Sequence, residues 1–418
     1  MNKYKVKDIK LAGQGLKNIE FAEMQMGALM EVRKEIADKK PFKGMKIAMA
    51  LHVTKETAVL VRTLKAGGAE VWITGCNPLS TQDDVAAALA KEGVNVFAYK
   101  GETNKEYYEF LKKVISCKPQ LTIDDGCDLV SEIHKNYPQL IPGIIGGCEE
   151  TTTGVIRLKA MEKDNALRYP IIAVNDNKTK HLMDNYYGTG QSTLDGIMRA
   201  SNFLFAGKTV VVAGYGDCGK GVSLRCKGMG AKVIVAEVDP FRALQAAMDG
   251  HRVMKMKEAC KFGDLFITVT GDLNVIVTDH VKYMKDGTIL ANSGHFDVEI
   301  AVKEIAKKAR KHRKIRPFMD EYLMPDNKRI FLLGEGRLVN LAAAEGHPSD
   351  VMSLSFCGQI FACKYLVEND GKLKPKVYTL PKKIDVKISR LQLKAMGIVI
   401  DKLTREQAEY LKNWETGT

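Results

Sequence analysis

Short apolar runs rich in β-branched residues alternate with segments of helical period along almost the whole chain. In the first half such runs fall at 46–51, 70–74, 95–99, 121–123, 143–145 and 171–174, with helical patterns between them at 58–65, 85–91 and 107–115. The second half repeats the theme at 209–213, 232–236, 252–256, 265–269, 288–291 and 330–333. Apolar runs separated by helices are the mark of parallel strands covered on both faces. The expected fold is therefore α/β, with two doubly wound parallel-sheet units that meet somewhere between positions 180 and 207.

In such sheets, ligands bind beyond the carboxyl ends of the strands. The residues at those ends are polar here. His52 follows IAMAL, Asp124 and Asp125 follow LTI, Glu149 and Glu150 follow GIIGGC, and Asn175 and Asp176 follow IIAV. A single strand-end carboxylate is ordinarily a turn or helix-capping residue. Four consecutive cases in one sheet predict a cleft for hydroxyl recognition and proton transfer.

In the second half, the strand TVVVA runs straight into GYGDCGKG, which sets Gly214, Gly216 and Gly219 in GxGxxG register at the start of a helix. Gly214 permits the tight turn, Gly216 lets backbone amides approach a pyrophosphate, and Gly219 allows close helix–strand packing. Glu237 ends the next strand, VIVAE, at the spacing of a carboxylate that binds ribose hydroxyls. An acid there favours NAD over NADP, because it repels a 2′-phosphate.

Composition changes this picture little. The chain has 418 residues, 45% hydrophobic and 27% charged, enough for two or three units with sizeable cores. No apolar run reaches membrane-spanning length and the start carries no signal-peptide pattern, so a cytoplasmic location without membrane contact is expected. Nine scattered cysteines without a CxxC pair support neither a disulfide framework nor a structural metal site. The formal net charge of +13 invites a nucleic-acid reading, but +7 of it sits in Lys303 to Arg316. There Ile300, Ile305 and Ala309 share a helical face, so the basic residues read as a solvated helix surface and no nucleic-acid partner is expected.

Several longer motifs carry a resemblance. LHVTKETAVL, CNPLSTQDD, DDGCDL, EETTTG, VAGYGDCGKG, GHFDVEI, EGRLVNL and GHPS, in that order over nearly the whole chain, resemble the S-adenosylhomocysteine hydrolase family. The resemblance implies a substrate-binding domain over 1–184 completed by 345–385, a Rossmann NAD-binding domain over 185–344 and a small C-terminal extension over 386–418. It implies self-association to a dimer or tetramer. It also implies a net hydrolysis that runs through transient redox: tightly held NAD oxidises the 3′ carbon of the sugar, the 4′ hydrogen becomes acidic, homocysteine thiolate leaves, water adds, and the electrons return.

Carried over motif by motif, Lys180 and Asp184 resemble the pair at the ribose hydroxyls, where a lysine can act as base only if its pKa is lowered. Asp125 resembles the base for the 4′ proton and Glu150 a ribose-hydroxyl ligand; their like charges are expected to push one pKa upward. His52 and His295 resemble histidines near the 5′ carbon. Thr54 and Glu56 match positions facing the purine, Glu56 as acceptor for an exocyclic amino group, and His347 resembles a residue near the base. For the cofactor, the resemblance implies Thr151, Thr152, Thr153 and Asn185, the motif residues Asp217, Cys218, Lys220 and Gly221, and Arg242, Ser293, Gly294, His295 and Asn340.

Three positions depart from the family pattern: Thr189 where cysteine is common, Arg242 in place of asparagine, and Glu345 in place of methionine near the purine. The last makes hydrolysis of an inosine thioether the rival activity. A catalytically silent NAD-binding relative is the rival class, against which the intact Asp125, Glu150, Lys180, Asp184 and His295 argue. The chain ends at NWETGT, without the Lys and Tyr tail of many members, so altered cofactor affinity is expected.

Overall fold

A computed structural model of the protein describes residues 3–415. The strands in chain order are β1 Tyr4–Lys5, β2 Lys46–Ala50, β3 Glu70–Thr74, β4 Asn95–Phe97, β5 Leu121–Asp124, β6 Gly146–Glu149, β7 Ile171–Ala173, β8 Thr209–Ala213, β9 Lys232–Ala236, β10 Arg252–Val253, β11 Leu265–Thr268, β12 Thr288–Asn292, β13 Lys311–Arg316, β14 Met319–Leu323, β15 Arg329–Leu333 and β16 Val377–Tyr378. They form two sheets. The first has the order β1-β4-β3-β2-β5-β6-β7-β16 with every neighbouring pair parallel. The second runs β10-β9-β8-β11-β12-β15-β14-β13, parallel except at one edge, where β14 lies antiparallel to both β15 and β13.

The order reverses between β2 and β5 in the first sheet and between β8 and β11 in the second. Those two reversals open the crevices where ligands of such folds bind. His52 and Asp125 leave the first crevice, and Gly214 leaves the second. The strands are buried on both faces, as their uninterrupted apolar runs require: Ile47 to Ala50 and Val210 to Ala213 are at most 2% exposed.

Two segments differ from their expected form. The run at 143–145 closes a 3-10 turn, Pro138–Gly143, and the strand begins later, at Gly146, where the backbone pairs with β5 and β7. A Cβ at Gly146 or Gly147 would strike Leu366 or Ile171, so glycines let the neighbouring layers close on this strand. The basic stretch is not one helix either. It is helix Val302–Lys308 followed by β13, whose residues are all exposed. Pairing with β14 overrides the helical pattern there, and the expectation of a solvated surface holds for both parts.

After the second sheet the chain returns to the first. Helix Ser349–Glu368 packs on β6, β16 pairs with β7, and helix Lys382–Ala395 buries Ile388. This last helix runs through position 386, the expected start of the C-terminal extension. Of the described residues, no helix is long and apolar enough to cross a membrane, and all nine cysteines are free.

Candidate active site

The carboxyl ends of both sheets face one cavity of about 750 Å³. From the first sheet it receives His52, Thr54, Glu56, Asp125, Glu150, Thr151, Thr152 and Thr153; from the segment that joins the sheets, Lys180, Asp184, Asn185 and Thr189. The second sheet supplies Gly214, Gly216, Asp217, Cys218, Glu237, Arg242, Ser293, Gly294, His295 and Asn340, and the returning chain supplies Glu345 and His347. Gly219, Lys220 and Gly221 do not line it. A Cβ at Gly219 would strike the Gly214 carbonyl and one at Gly221 the Tyr186 carbonyl, so these glycines let the helix Asp217–Gly228 pack closely on its neighbours.

Lys180, Asp184 and Asn185 lie on a π-helical stretch, Lys180–Gly188. A wider turn than the α-helix brings positions four and five residues on to the same side. Lys180 Nζ accordingly reaches Asp184 Oδ2 at 2.6 Å and donates to Asn185 Oδ1 at 2.8 Å, with Glu150 Oε1 at 3.5 Å. Burial pulls the Lys180 pKa down, but the carboxylates of Asp184 and Glu150 outweigh it and hold the ammonium above the ordinary lysine value. The lowered pKa that a lysine base needs is therefore absent from the protein alone; two buried carboxylates favour the charged form. Asp184 is held far below its usual value: burial opposes ionisation, while His347 and Lys180 overcome it. His347 Nδ1 hydrogen-bonds Asp184, and its Nε2 lies 3.3 Å from Thr189 Oγ1, which in turn donates to Cys218 Sγ at 3.5 Å.

Glu150 is raised, chiefly by burial, with Asp184 and Asp125 adding to the effect. Its carboxylate accepts hydrogen bonds from Ser355 Oγ and, at 2.5 Å, from Gln359 Nε2, one turn apart on the returning helix. The same helix places Ser349 Oγ 2.8 Å from Glu56 Oε1. These three residues escaped the sequence reading. Their only signal is a set of small or amide side chains inside an apolar helix some 200 residues or more from their partners.

At the other end, Asp125 sits between two histidines. Its carboxylate is 3.5 Å from His52 Nε2 and 3.6 Å from His295 Nδ1. Burial pushes the His52 pKa down to about 4 despite Asp125, so His52 is neutral near pH 7. His52 Nδ1 lies 2.8 Å from Ser80 Oγ and 3.2 Å from Cys76 Sγ. Gly126, at φ 106°, turns the chain where a Cβ would collide with His295, so this histidine of the second sheet can reach the first. Behind the site, Asp124 accepts from the Asp125 and Val130 amides and Glu149 from the Gly126 and Thr151 amides. Burial raises both, Asp124 to about 7.

The residues present fit a dinucleotide. Gly214, at φ 102°, makes the turn, and a Cβ there would strike the Val269 carbonyl. Gly216 is the N-cap of the helix Asp217–Gly228 and borders the cavity. Glu237 accepts from the amides of Tyr215, Val238 and Asp239 at 2.6, 2.6 and 3.0 Å, which pins the carboxylate at the strand end. Asn340 donates to Ser192 Oγ at 3.1 Å, while its Oδ1 is buried with no partner among the described residues. An orphaned acceptor on the wall of a cavity is what a ligand amide would satisfy.

Comparison with known proteins agrees. Residues 3–139 match the model of S-adenosyl-L-homocysteine hydrolase and residues 185–346 match that of its NAD-binding domain. The chain belongs to the S-adenosyl-L-homocysteine hydrolase family. It is 59% identical to the adenosylhomocysteinase of Sulfurisphaera tokodaii, over 99% of this chain and 100% of that protein. It is 57% identical to that of Aquifex aeolicus and 56% identical to the S-inosyl-L-homocysteine hydrolase of Methanocaldococcus jannaschii, with the same coverage. Family membership makes the protein an NAD-dependent hydrolase.

Glu345, the position that raised the inosine alternative, borders the cavity with its carboxylate held in ion pairs. Its carboxylate pairs with Lys55 Nζ at 2.9 Å and Arg199 at 3.2 Å. Lys55 also reaches the buried Glu56 at 3.1 Å, so the two carboxylates share one cation at the cavity wall.

Proposed function

We propose that the protein reversibly hydrolyses S-adenosyl-L-homocysteine to adenosine and L-homocysteine. The observation that carries this reading is the presence, in one cavity with the dinucleotide turn, of two separate proton-handling clusters: Lys180 with Asp184 and Glu150, and Asp125 with His52 and His295. A simple dehydrogenase needs one such group. Breaking a carbon–sulfur bond by elimination needs a second, to remove a carbon-bound proton and manage the departing thiolate.

NAD, when bound, supplies a reversible two-electron oxidation at the 3′ carbon of the sugar. Lys180 takes the 3′-hydroxyl proton and gives it back, once positive charge nearby offsets the two carboxylates that hold its pKa up. Glu150, its carboxylate gripped by Ser355 and Gln359, accepts from a ribose hydroxyl and fixes the sugar. Asp125 removes the 4′ proton. His52 and His295 then move protons to the departing sulfur and from the incoming water. Glu56 accepts from the exocyclic amine of adenine, with Thr54 and His347 beside the base, and the engagement of Glu345 by Lys55 and Arg199 favours adenine over hypoxanthine.

The substrate domain is 1–184 with 345–385, the cofactor domain 185–344, and the remainder an extension. The protein self-associates: Val399, Ile400, Tyr410, Leu411 and Trp414 of that extension are all exposed, an apolar surface that water disfavours.

One experiment tests the activity. The enzyme is mixed with the adenosine or the inosine thioether while free thiol and nicotinamide absorbance are followed together. Thiol release with no more NADH than enzyme is expected. NADH that accumulates in proportion to substrate, or no thiol at all, overturns the reading, and a preference for inosine above about tenfold, or 1.4 kcal/mol, overturns the purine assignment.

A further inference from the structure

His295 belongs to the second sheet yet stands 3.6 Å from Asp125 of the first, and two buried polar residues outside the cavity wall account for its place. Asn292 ends β12 and Glu299 follows the turn that carries the histidine; both are at most 1% exposed. The Asn292 amide is saturated. Its Nδ2 donates to the carbonyls of Gly294, Phe296 and Gly336 at 3.1, 2.9 and 2.9 Å, while its Oδ1 accepts from the Gly294 amide at 2.8 Å and from Thr268 Oγ1 at 3.0 Å. Two of those carbonyls belong to the neighbours of His295 on either side. One side chain therefore closes the turn around the histidine.

Glu299 ties that turn to the loop after β11. Its Oε1 accepts from the Gly271 amide at 2.7 Å, and its Oε2 accepts from the Thr270 amide at 3.0 Å and from Thr270 Oγ1 at 2.8 Å. A Cβ on Gly294 would come within 1.6 Å of Glu299 Oε1, so the carboxylate fills the space that this glycine leaves. Thr270 and Gly271 line the cavity beside the dinucleotide turn, and Gly294 and His295 line it as well. From the first half of the chain, Arg157 lies over the Phe296 ring at 5.6 Å and donates to the Gly126 carbonyl, which meets the same turn from the other side.

We propose that Asn292 and Glu299 are positioning residues, which lock the His295 turn and the Thr270 loop into one unit and so present His295 to Asp125 next to the bound dinucleotide. The inference rests on the reading of His295 as a proton carrier. A group misplaced by about 1 Å costs on the order of 10²-fold in rate, and the side chains that support it decide that placement. The redox pair has separate supports: Lys180 and Asp184 are held by each other, Glu150 and His347. Loss of the Asn292 clasp should therefore separate the two halves of the reaction, with oxidation of the sugar kept and carbon–sulfur cleavage lost. Glu299 acts through the shape of its hydrogen bonds. Glutamine there keeps an acceptor for Gly271 and turns its amide nitrogen toward Thr270 Oγ1, whereas leucine leaves both without a partner.

The test uses the NAD-loaded enzyme and reads NAD affinity, enzyme-bound NADH formed on adding adenosine, and thiol released from the adenosine thioether at saturating NAD. Asn292→Asp, which sets a carboxylate oxygen against three carbonyls, should form bound NADH within about threefold of the wild type while thiol release falls by at least about tenfold. Glu299→Leu should weaken NAD binding and slow thiol release, each by at least about tenfold, and Glu299→Gln should return both to within about threefold of the wild type. Equal losses of NADH formation and thiol release in Asn292→Asp mean a general structural role and overturn the proposal. So does Glu299→Leu that matches the wild type, or Glu299→Gln as poor as the leucine variant. Where Asn292→Asp does not fold, the Glu299 pair decides. A wild type that releases no thiol overturns the reading of function, while NAD affinity across the Glu299 pair still tests whether that carboxylate places the cofactor loop.

Discussion

The two crevices solve the problem of holding a polar ligand in different ways. On the second sheet the site is mostly backbone: a glycine turn, a helix N-terminus and Glu237 pinned by two amides of its own loop and one of the glycine turn. On the first sheet it is mostly buried side chains, and their supports come from far along the chain. Glu150 is held by Ser355 and Gln359, Glu56 by Ser349, Asp184 by His347, and Asp125 faces His295. A backbone site depends on shape at a few glycines, whereas a side-chain site depends on charge balance across the whole fold. Buried charges that lose a partner become costly, while amides in a turn keep their geometry when a side chain changes.

The comparison can be broken from either side. Lys180→Met leaves Asp184 and Glu150 facing each other without their shared cation, and turnover should fall by about 10²–10⁴-fold, measured as thiol release, while NAD stays bound. Gly219→Val drives a side chain into the Gly214 carbonyl, so the purified protein should lose its NAD, measured by absorbance of a heat-released extract; NAD retained in full would mean that the turn is not the cofactor cradle.

A pH series sharpens the first-sheet side. His52 has a folded pKa of about 4, below its unfolded value of about 6.5. The unfolded chain then binds the proton more readily, so the contribution of neutral His52 is complete above about pH 6.5 and is lost as pH falls toward 4, by up to about 3 kcal/mol. In urea unfolding, the stability difference between the wild type and His52→Gln should be constant above about pH 6.5 and below about pH 4, with the wild type losing up to about 3 kcal/mol relative to the variant as pH falls between them. Gln359→Leu removes one donor from Glu150 and should cost about 1–3 kcal/mol of stability and raise KM more than it lowers kcat. The smallest effect belongs to Glu345→Met: removing an exposed pair partner should change stability by less than about 1 kcal/mol and the adenine-to-hypoxanthine preference by less than tenfold. A larger swing would return Glu345 to the purine pocket.

Most of the fold was legible in the chain. β3, β8 and β9 run over the expected residues because each is a continuous β-branched run with turn residues at both ends. The run at 143–145 misled because apolar character there serves a 3-10 turn, and the glycines that follow form the strand. Three of the four strand-end polar sites and the glycine motif pointed to the cavity, which Asn175 and Asp176 do not line, and the resemblance extended them to His295, Asn340 and His347. The π-helical turn that sets Asp184 and Asn185 together against Lys180 left no trace in the pattern. Nor did the serines and glutamine of the returning helix, which look like ordinary polar breaks in an apolar stripe until their partners are known.

The amino-acid order alone determines what is local: strand and helix period, the left-handed turn that only Gly214 can make cheaply, and an acid one helix and one strand past it. Each is set by contacts within a few residues, where sterics and hydrogen bonding leave little choice. The tertiary structure decides ionisation. Whether Lys180 is charged, whether His52 is neutral, and what Glu345 meets depend on groups brought together from up to 290 positions away. Energies of that kind follow distance and burial in space, quantities that spacing along a chain does not contain.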